Sequence, residues 1–494
     1  MIEQLPILNL LVLLSTALVI PLFKKRTFNM TLWFGFFTLF FVFISSIVLT
    51  YHVYVHGAFY YHLGGHAPFL GIELLIDGFA TFFTTFVLGL LILIYSYSAG
   101  DATEGISEKE YGRYYILLFI LLFAMLGIIY TNDLFNIYVF MEILSITTCS
   151  IISIKRKKEN YTSAFRYVML NEVGSLSFLF GVALIYMITG FTNIGLVADA
   201  LPDVWALYPA NIILAVGFMV IGIGIKAAIF PFHVWLPDAH ASAPSSSSAI
   251  LSGIVIKVYA LIFVKMLFRL YGVDLLTELN IPIILTVTAS VGMVLGSMFA
   301  MAQKDIKRML GYSSVAQMGY IVLGISLFSY LGLRAAFFHI TSHALLKSAL
   351  FLSVGAIIYK QKERRINHYD GIGKLMPLSM GVFTIAALGM IGIPITSGFI
   401  SKYNLGLAAL DANQTILIGV LVFSGLLNAM YYLPIIIQAF LKEPKTPVYM
   451  IKLEKIPLTM MLPIAILGLA ILTLGIYPNL VMNLIDLAVE SLGF

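Results

Sequence analysis

Apolar runs of about twenty residues recur from one end of this chain to the other, each long enough to cross a bilayer as a helix. That recurrence limits the fold more than any single motif does. Of the 494 residues, 60% are hydrophobic and 11% charged, whereas an ordinary soluble domain is roughly a quarter charged. The expected class is an all-α, multi-pass membrane protein. The formal charge of +5 does not imply nucleic acid as a partner, because the basic residues gather at the ends of the apolar runs. The single cysteine, Cys149, rules out an internal disulfide framework and offers no metal-site spacing. The first run, 6–23, follows Glu3 rather than a basic flank and has no small-residue cleavage site. It is expected to be a retained helix and not a signal peptide.

Fourteen spans can be drawn, at 6–23, 29–51, 72–96, 113–130, 133–154, 162–189, 208–229, 246–270, 281–301, 310–329, 333–358, 376–409, 414–440 and 457–478. The connections alternate in charge. Basic residues follow the first span (Lys24, Lys25, Arg26), the third (Lys109, Arg113) and the fifth (Lys155, Arg156, Lys157, Lys158). They recur after the ninth (Lys304, Lys307, Arg308), the eleventh (Lys360, Lys362, Arg364, Arg365, Lys374) and the thirteenth (Lys442, Lys445, Lys452, Lys455). The connections between carry acids such as Asp199, Asp203, Asp274, Glu278 and Asp411, with Arg334 a basic exception. The excess of basic residues on cytoplasmic loops then puts both termini outside, which requires an even number of spans. No soluble domain is left over, so no nucleotide or haem site built from loops is expected.

Subtracting the connections leaves Lys226, Lys257, Lys347 and Lys402 inside spans, with Glu142, Asp77, Glu172, His339 and His343. A charge at mid-bilayer costs about 2.5–3.5 kcal/mol on insertion scales, so such residues pair, face the protein interior and mark ion pathways. The plainer account is a structural ion pair or a side chain snorkelling to the interface. Four lysines in separate spans, plus Glu142, fit a pathway better. Glu142, in "NIYVFMEILSITT", has no basic residue on its own helix face, so its partner must come from another helix, and Lys226 is a candidate. A buried carboxylate and a buried lysine each favour the neutral form unless they share charge, so such a pair can gain or lose a proton as its surroundings change.

Lys226 sits in "IGIGIKAAIFPFHVWLPDAH", where Pro231 lacks an amide hydrogen and Gly222 and Gly224 loosen the same turn. Non-helical backbone at membrane depth survives only inside protein or beside a water-filled cavity. "GMIGIPITSGFISKYN" likewise breaks the twelfth span at Pro394 and Gly398 and places Lys402 beside the break. The fourth to eighth and ninth to thirteenth spans form two five-helix units, and an odd number per unit inverts the second. The broken spans are each fourth in their unit, and interrupted segments in matching positions point to a transport site between inverted repeats. The expected organisation is a three-helix segment, 1–111, repeats at 112–270 and 271–445, and a C-terminal helix and tail, 446–494.

"HITSHALLKSALFL" spaces His339, His343 and Lys347 four residues apart, which aligns them on one helix face. His-x3-His could hold zinc, but no third ligand is nearby; histidine also relays protons near neutral pH. Lys257, in the eighth span, could link the two units. His52, His56, His62 and His66 are read as interfacial packing ahead of metal binding. Asp77 and Glu172 either join the pathway or pair with Arg166 or helix ends. "YKQKERRINHYDGIGK" is read as a solvated loop, not a phosphate loop, since it follows no strand.

The segments "KAAIFPFHVWLPDAHASAPSSSSA", "QKDIKRMLGYSSVAQMGY", "HITSHALLKSALFLSVG" and "GIPITSGFISK" occur in that order. They resemble the signature segments of proton-conducting antiporter-like membrane subunits. Those occur in Mrp-type sodium/proton antiporters, in complex I and in energy-converting membrane-bound hydrogenases. The resemblance covers residues 70–440, and it implies fourteen helices with two inverted five-helix repeats, each with a broken helix. Glu142 resembles the family's fifth-helix glutamate, which pairs with the seventh-helix lysine, here Lys226. Lys257 resembles the eighth-helix linking residue, His339 and His343 the eleventh-helix histidines with Lys347 beside them, and Lys402 the twelfth-helix lysine near the exit. Size and segments are most similar to the D-type component of Mrp antiporters and its equivalent in membrane-bound hydrogenases. The chain's end soon after the fourteenth span sets it apart from the largest complex I and Mrp components. The serine run Ser245–Ser248 departs from the Thr- and Pro-containing versions expected in many complex I relatives.

The resemblance implies an ion-translocating subunit in a prokaryotic cell membrane, moving protons with or without sodium in exchange, beside other membrane subunits. No cofactor or metal is expected in this chain, and no catalytic chemistry of its own. The alternative is the proton-pumping arm of a redox complex, with the iron–sulfur chemistry in other subunits. Outside the family stand a self-contained transporter of an organic substrate and a structural scaffold whose charges only hold helices together.

Overall fold

The computed structural model describes residues 2–23, 28–101, 106–443 and 456–494. The elements in order are α1 (Leu5–Val19), α2 (Phe28–His56), β1 (Phe59–His62), β2 (Glu73–Ile76), α3 (Gly78–Asp101), α4 (Glu108–Tyr130) and α5 (Leu134–Ser153). Then come α6 (Lys158–Thr189), α7 (Ile194–Trp205), α8 (Pro209–Lys226), α9 (Trp235–Ser242), α10 (Ser245–Ile250) and α11 (Ile256–Val264). The second half holds α12 (Val273–Glu278), α13 (Ile281–Met301), α14 (Ile306–Ser326), α15 (Tyr330–Gln361), α16 (Ile372–Leu375), α17 (Pro377–Ile391) and α18 (Ser397–Asp411). α19 (Ile416–Leu441), α20 (Leu458–Ile476) and α21 (Asn479–Glu490) complete it.

Helix starts carry their own punctuation. Asp133, Asn193, Asp305 and Ser329 each accept a hydrogen bond from a backbone amide of the first turn of α5, α7, α14 and α15, which satisfies a donor the helix itself leaves open.

Among the described residues, twelve helices are long and apolar enough to cross a membrane. The two drawn spans outside that set are the tenth and the twelfth. α14 is 21 residues long but opens on Lys307 and Arg308 and carries Gln317 and several serines, so its apolar face is narrow. The run drawn as 376–409 is two helices, α17 and α18, parted at 392–396. The third span drawn from 72 begins later, because Glu73–Ile76 pairs as a strand with Phe59–His62 and Asp77 caps α3 through its bond to the Ala80 amide. That hairpin is the one departure from helix among the described regular elements. It covers the loop between α4 and α5: Glu73 accepts hydrogen bonds from Asn132 Nδ2 at 2.8 Å and Asn193 Nδ2 at 3.0 Å.

At the opposite ends of these helices the basic connections converge. Arg113 and Arg156 both reach Glu110 at 2.9 Å, Arg364 reaches Asp305 at 2.7 Å, and Lys442 reaches Asp370 at 3.3 Å. Asp238 bridges Arg166 at 2.7 Å and Arg308 at 2.6 Å. Lys24, Lys25, Arg26, Lys445, Lys452 and Lys455 lie outside the described residues, as does the Lys109 side chain.

Two columns form the centre. The most apolar windows of Ser245–Tyr271 and Tyr330–Gln361 are buried throughout, while those of α2, α6, α13 and α19 are buried over a third or little more of their residues. The first column is not regular α-helix: it loosens into π turns at Leu251–Val255 and Lys265–Tyr271. Such turns free backbone carbonyls and often mark functional sites.

Candidate functional site

α8 ends at Lys226. Ala228 takes φ +52 and the chain turns through Pro231 before helix resumes at Trp235. Trp235 Nε1 donates to the Ile225 carbonyl at 2.9 Å, satisfying one acceptor that the break exposes. The interruption of the helix lies just after the lysine.

Lys226 is fully buried. Its Nζ donates to Ser145 Oγ at 2.5 Å, stands 3.6 Å from Glu142 Oε1, and lies 6.0 Å from the centre of the Tyr259 ring. Glu142 and Ser145 are three residues apart on α5 and so share a face. The Glu142 side chain keeps 20% exposure. One buried cation thus meets one partly open carboxylate through a gap, with Ser145 holding the ammonium. Ser145 also shares a hydrogen bond with Tyr259 OH at 3.2 Å, which ties α5 to the central column.

Lys257 lies on that column, its ammonium donating to the Ser252 carbonyl in the π turn. Ser252 and Ser314 share a hydroxyl hydrogen bond at 2.7 Å. Lys347 donates to the Leu310 carbonyl at 2.8 Å and Ser313 Oγ at 2.9 Å. Among the described residues no direct hydrogen bond joins Lys226 to Lys257 or Lys257 to Lys347.

The stripe on α15 continues toward the second break. The His343 and His339 rings stack at 5.9 Å, and His339 stacks on Tyr320 at 5.3 Å. His339 Nδ1 shares a hydrogen bond with Ser401 Oγ at 3.0 Å, and the next residue, Lys402, holds its ammonium 4.8 Å over Tyr320. Lys402 donates to the carbonyls of Met390 at 2.6 Å and Ile391 at 3.0 Å, the last turn of α17. A helix C-terminus carries partial negative charge and free carbonyls, so it suits a cation. Pro394 lies in the gap, and Gly398 is required there, since a Cβ on it would fall 1.9 Å from the Gly389 oxygen.

Several buried polar atoms along this line have no protein partner: both ring nitrogens of His343, Nε2 of His339, Nε2 of Gln317 and Oγ of Ser348. Buried polar groups are normally hydrogen-bonded, and unpaired ones in a row are sites for internal water. The line therefore combines buried titratable side chains with polar atoms that the protein itself leaves unpaired.

Sequence reasoning missed several groups. His240, on α9, is fully buried with neither ring nitrogen bonded, and its ring centre lies 4.9 Å from that of Phe351, over which Lys347 holds its ammonium. It stands in the same quoted segment as Lys226, beside Asp238 rather than inside an apolar run. Lys265 is buried too, and donates to the carbonyls of Ile128, Ile129 and Thr131 at the end of α4 at 3.0, 2.5 and 2.9 Å. It falls inside the eighth span, where its charge within an apolar run was the available signal. Asp77 lies away from the line and pairs with Arg269. Glu172 does not pair with Arg166, which is engaged by Asp238. His62 Nδ1 lies 3.5 Å from Glu73, and the His52 and His56 rings pack at a tilt with centres 4.7 Å apart. Among the described residues no three His, Cys, Asp or Glu side chains converge as metal ligands.

Comparison with known proteins follows the same line. Residues 131–428 match the family described as "NADH:quinone oxidoreductase/Mrp antiporter, TM". The N-type component of the NADH-quinone oxidoreductase of Desulforudis audaxviator is 36% identical over 508 residues, covering 99% of each chain. The D-type component of the Na(+)/H(+) antiporter of Alkalihalophilus pseudofirmus is 32% identical over 405 residues, covering 81% of this chain and 80% of that one. Among solved structures, a chain of the Mrp complex from Dietzia sp. DQ12-45-1b superposes with a TM-score of 0.88 at 25% identity, over 99% of this chain and 97% of that one. A chain of the membrane-bound sulfane sulfur reductase, an archaeal respiratory membrane complex, gives 0.89 at 26% identity over the same shares of 99% and 97%.

Proposed function

We infer the function of this chain from its membership: it belongs to the NADH:quinone oxidoreductase/Mrp antiporter transmembrane family. It is an antiporter-like, multi-pass membrane subunit, related to the D-type component of Mrp antiporters and to the N-type and M-type components of complex I. We propose that it moves protons along Glu142, Lys226, Lys257, His343, His339 and Lys402, with Lys347 and internal water assisting. The observation that carries this reading is Lys226: fully buried, at the broken end of α8, and 3.6 Å from a carboxylate rather than in tight contact. A loose pair can separate, and separation changes the lysine's hold on its proton.

Neighbouring membrane subunits complete the machine, as they do in the Mrp and sulfane reductase assemblies, and the proposed setting is a prokaryotic cytoplasmic membrane. Counting α14 and the α17–α18 pair as crossings gives fourteen, with both termini outside and the two five-helix units inverted. Sodium in exchange is the leading variant, on the likeness to the Na(+)/H(+) antiporter component. The second reading, the pump arm of a redox complex, is favoured by the end-to-end likeness to the NADH-quinone oxidoreductase component. On either reading this chain supplies the ion path and holds no cofactor of its own.

The test is ion flux in vesicles with Glu142→Gln and Lys226→Gln. Normal assembly with lost flux is expected; assembled complexes with unchanged flux would overturn the pathway. Mass spectrometry of co-purifying subunits separates the two readings, since iron–sulfur proteins appear only on the second.

A further inference from the structure

A cavity of about 570 Å³ opens where the basic ends of α4 and α5 meet the start of α6, a size in the range of small-molecule sites. Glu110, Arg113 and Arg156 line it with Ser150 and Ser153 of α5, while Ile116 and Leu117 of α4 make it apolar on one side. Glu110 is buried, and both guanidiniums reach it. Arg113 Nη1 lies 2.9 and 3.0 Å from its two oxygens, and Arg156 Nη2 lies 2.9 Å from one of them. Both arginine side chains are still more than half exposed, at 61% and 58%. One carboxylate thus faces two cations, and each guanidinium carries several N–H donors, so charge and donors are left over for a further anion.

Arg156 is held in place. It takes φ +54, a conformation that a long side chain seldom adopts, and its amide donates to the Ser153 carbonyl at 2.9 Å. Asn160 fixes the same connection, its Nδ2 donating to the carbonyls of Ile152 at 2.9 Å and Ser242 at 2.8 Å. Lys155, Lys157 and Lys158 add positive charge there, against Glu159. Past Arg113, the same face of α4 is apolar: Ile116, Leu117 and Ile120 follow at helical spacing and are half-buried. On α5 the face that carries Ser153 and Ser150 continues to Ile146, which is exposed, and Ile143. A cationic head therefore caps a strip of uncovered hydrocarbon at the end of membrane-crossing helices. Free phosphate would use only the head.

We propose that this cavity seats an anionic phospholipid. Arg113 and Arg156 hold its phosphate, which suits the planar guanidinium, and an acyl chain lies along Ile116, Leu117 and Ile120. On the orientation proposed above, this end faces the cytoplasmic leaflet, where basic pockets between helices attract anionic headgroups. The lipid ties α4 to the α5–α6 connection, and α5 is the helix that carries Glu142. The site is separate from the ion path and stands without it.

The experiment uses the intact complex, extracted mildly and incubated with phosphatidylglycerol or phosphatidylcholine. Native mass spectrometry should show phosphatidylglycerol retained in preference, and retention reduced on the order of tenfold in the double variant Arg113→Gln, Arg156→Gln. Glu110→Gln removes the competing carboxylate and keeps both guanidiniums, so it should retain the lipid at least as well as wild type. A cluster that is only structural would instead make it behave like the double variant, which would overturn the proposal. Equal retention of the two lipids by wild type would overturn it, as would equal retention of phosphatidylglycerol by wild type and the double variant. Should the double variant fail to assemble, thermal protection of the wild type decides. Protection by phosphatidylglycerol beyond that of phosphatidylcholine is expected; equal protection by inorganic phosphate would overturn the lipid in favour of a bare anion site. A cross-link from Arg156→Cys to a neighbouring subunit, with no lipid retained, would overturn it in favour of that subunit.

Discussion

The two broken helices solve one problem in different ways. At the first break the lysine precedes the gap: Lys226 is the last residue of α8, and its counter-charge is Glu142, on another helix. At the second the lysine follows the gap: Lys402 lies in α18 and reaches back to the carbonyls of Met390 and Ile391 at the end of α17. No carboxylate pairs with Lys402 among the described residues. Both ammoniums thus sit at the C-terminal end of the first half-helix, where the backbone is electronegative. Only the first can be switched by moving a charged side chain. The second offers fixed dipoles, which suits a site that accepts and releases a proton without a partner's rearrangement.

The glycines beside the two gaps also differ in the room around them. A Cβ on Gly224 would meet Phe232 at 3.4 Å, an ordinary contact, whereas one on Gly398 would fall 1.9 Å from a backbone oxygen.

Removing the Glu142 charge leaves Lys226 buried and unpaired, so Glu142→Gln should cost about 3 kcal/mol in thermal unfolding as well as flux. A double-mutant cycle of Glu142→Gln with Lys226→Met should show coupling of about 1–3 kcal/mol; additive losses would mean the pair is not one unit. Gly398→Ala should destabilise by about 2–3 kcal/mol through overpacking, while Gly224→Ala stays near wild type. Equal melting temperatures would erase the distinction between the gaps. Lys402→Met frees the α17 carbonyls and should cost about 1–2 kcal/mol, with flux lost and no coupling to Glu142→Gln in stability.

The smallest effect lies outside the membrane. The backbone amides of Arg364 and Arg365 donate to Glu363 at 2.8 and 3.0 Å and hold its carboxyl below the usual carboxylate range. A depressed folded value gives stability at neutral pH that is lost as pH falls through it. Glu363→Gln should therefore flatten the acid limb of a melting-temperature profile slightly and leave flux unchanged, the control for effects specific to the two breaks.

Much of the candidate site was legible because charge inside an apolar run stands out by itself. Glu142, Lys226, Lys257, His339, His343, Lys347 and Lys402 were named on that ground, and the structure places Glu142 beside Lys226 and the histidines beside Lys402. His240, fourteen residues past Lys226, carries no such mark, because it stands beside Asp238 in a mixed segment rather than inside an apolar run. The twelfth span was drawn as one helix with a break in it because its apolar residues run on through the gap. The Glu73–Ile76 strand was absorbed into a helix for the same reason.

Residue chemistry alone pointed to lipid surroundings, to the charges that must leave lipid and to where helix is interrupted, while it misplaced the third and twelfth spans. Each depends on local chemistry: apolar length, a missing amide hydrogen, or a charge that must leave lipid. Only the tertiary structure decided which partner each group takes. It set Ser145 and Glu142 against Lys226, helix carbonyls against Lys402, Asp77 against Arg269, and Gly174 against Gly222. Helical periodicity fixes which residues share a face. Which faces then meet depends on packing between helices far apart in the chain, and no local pattern encodes it.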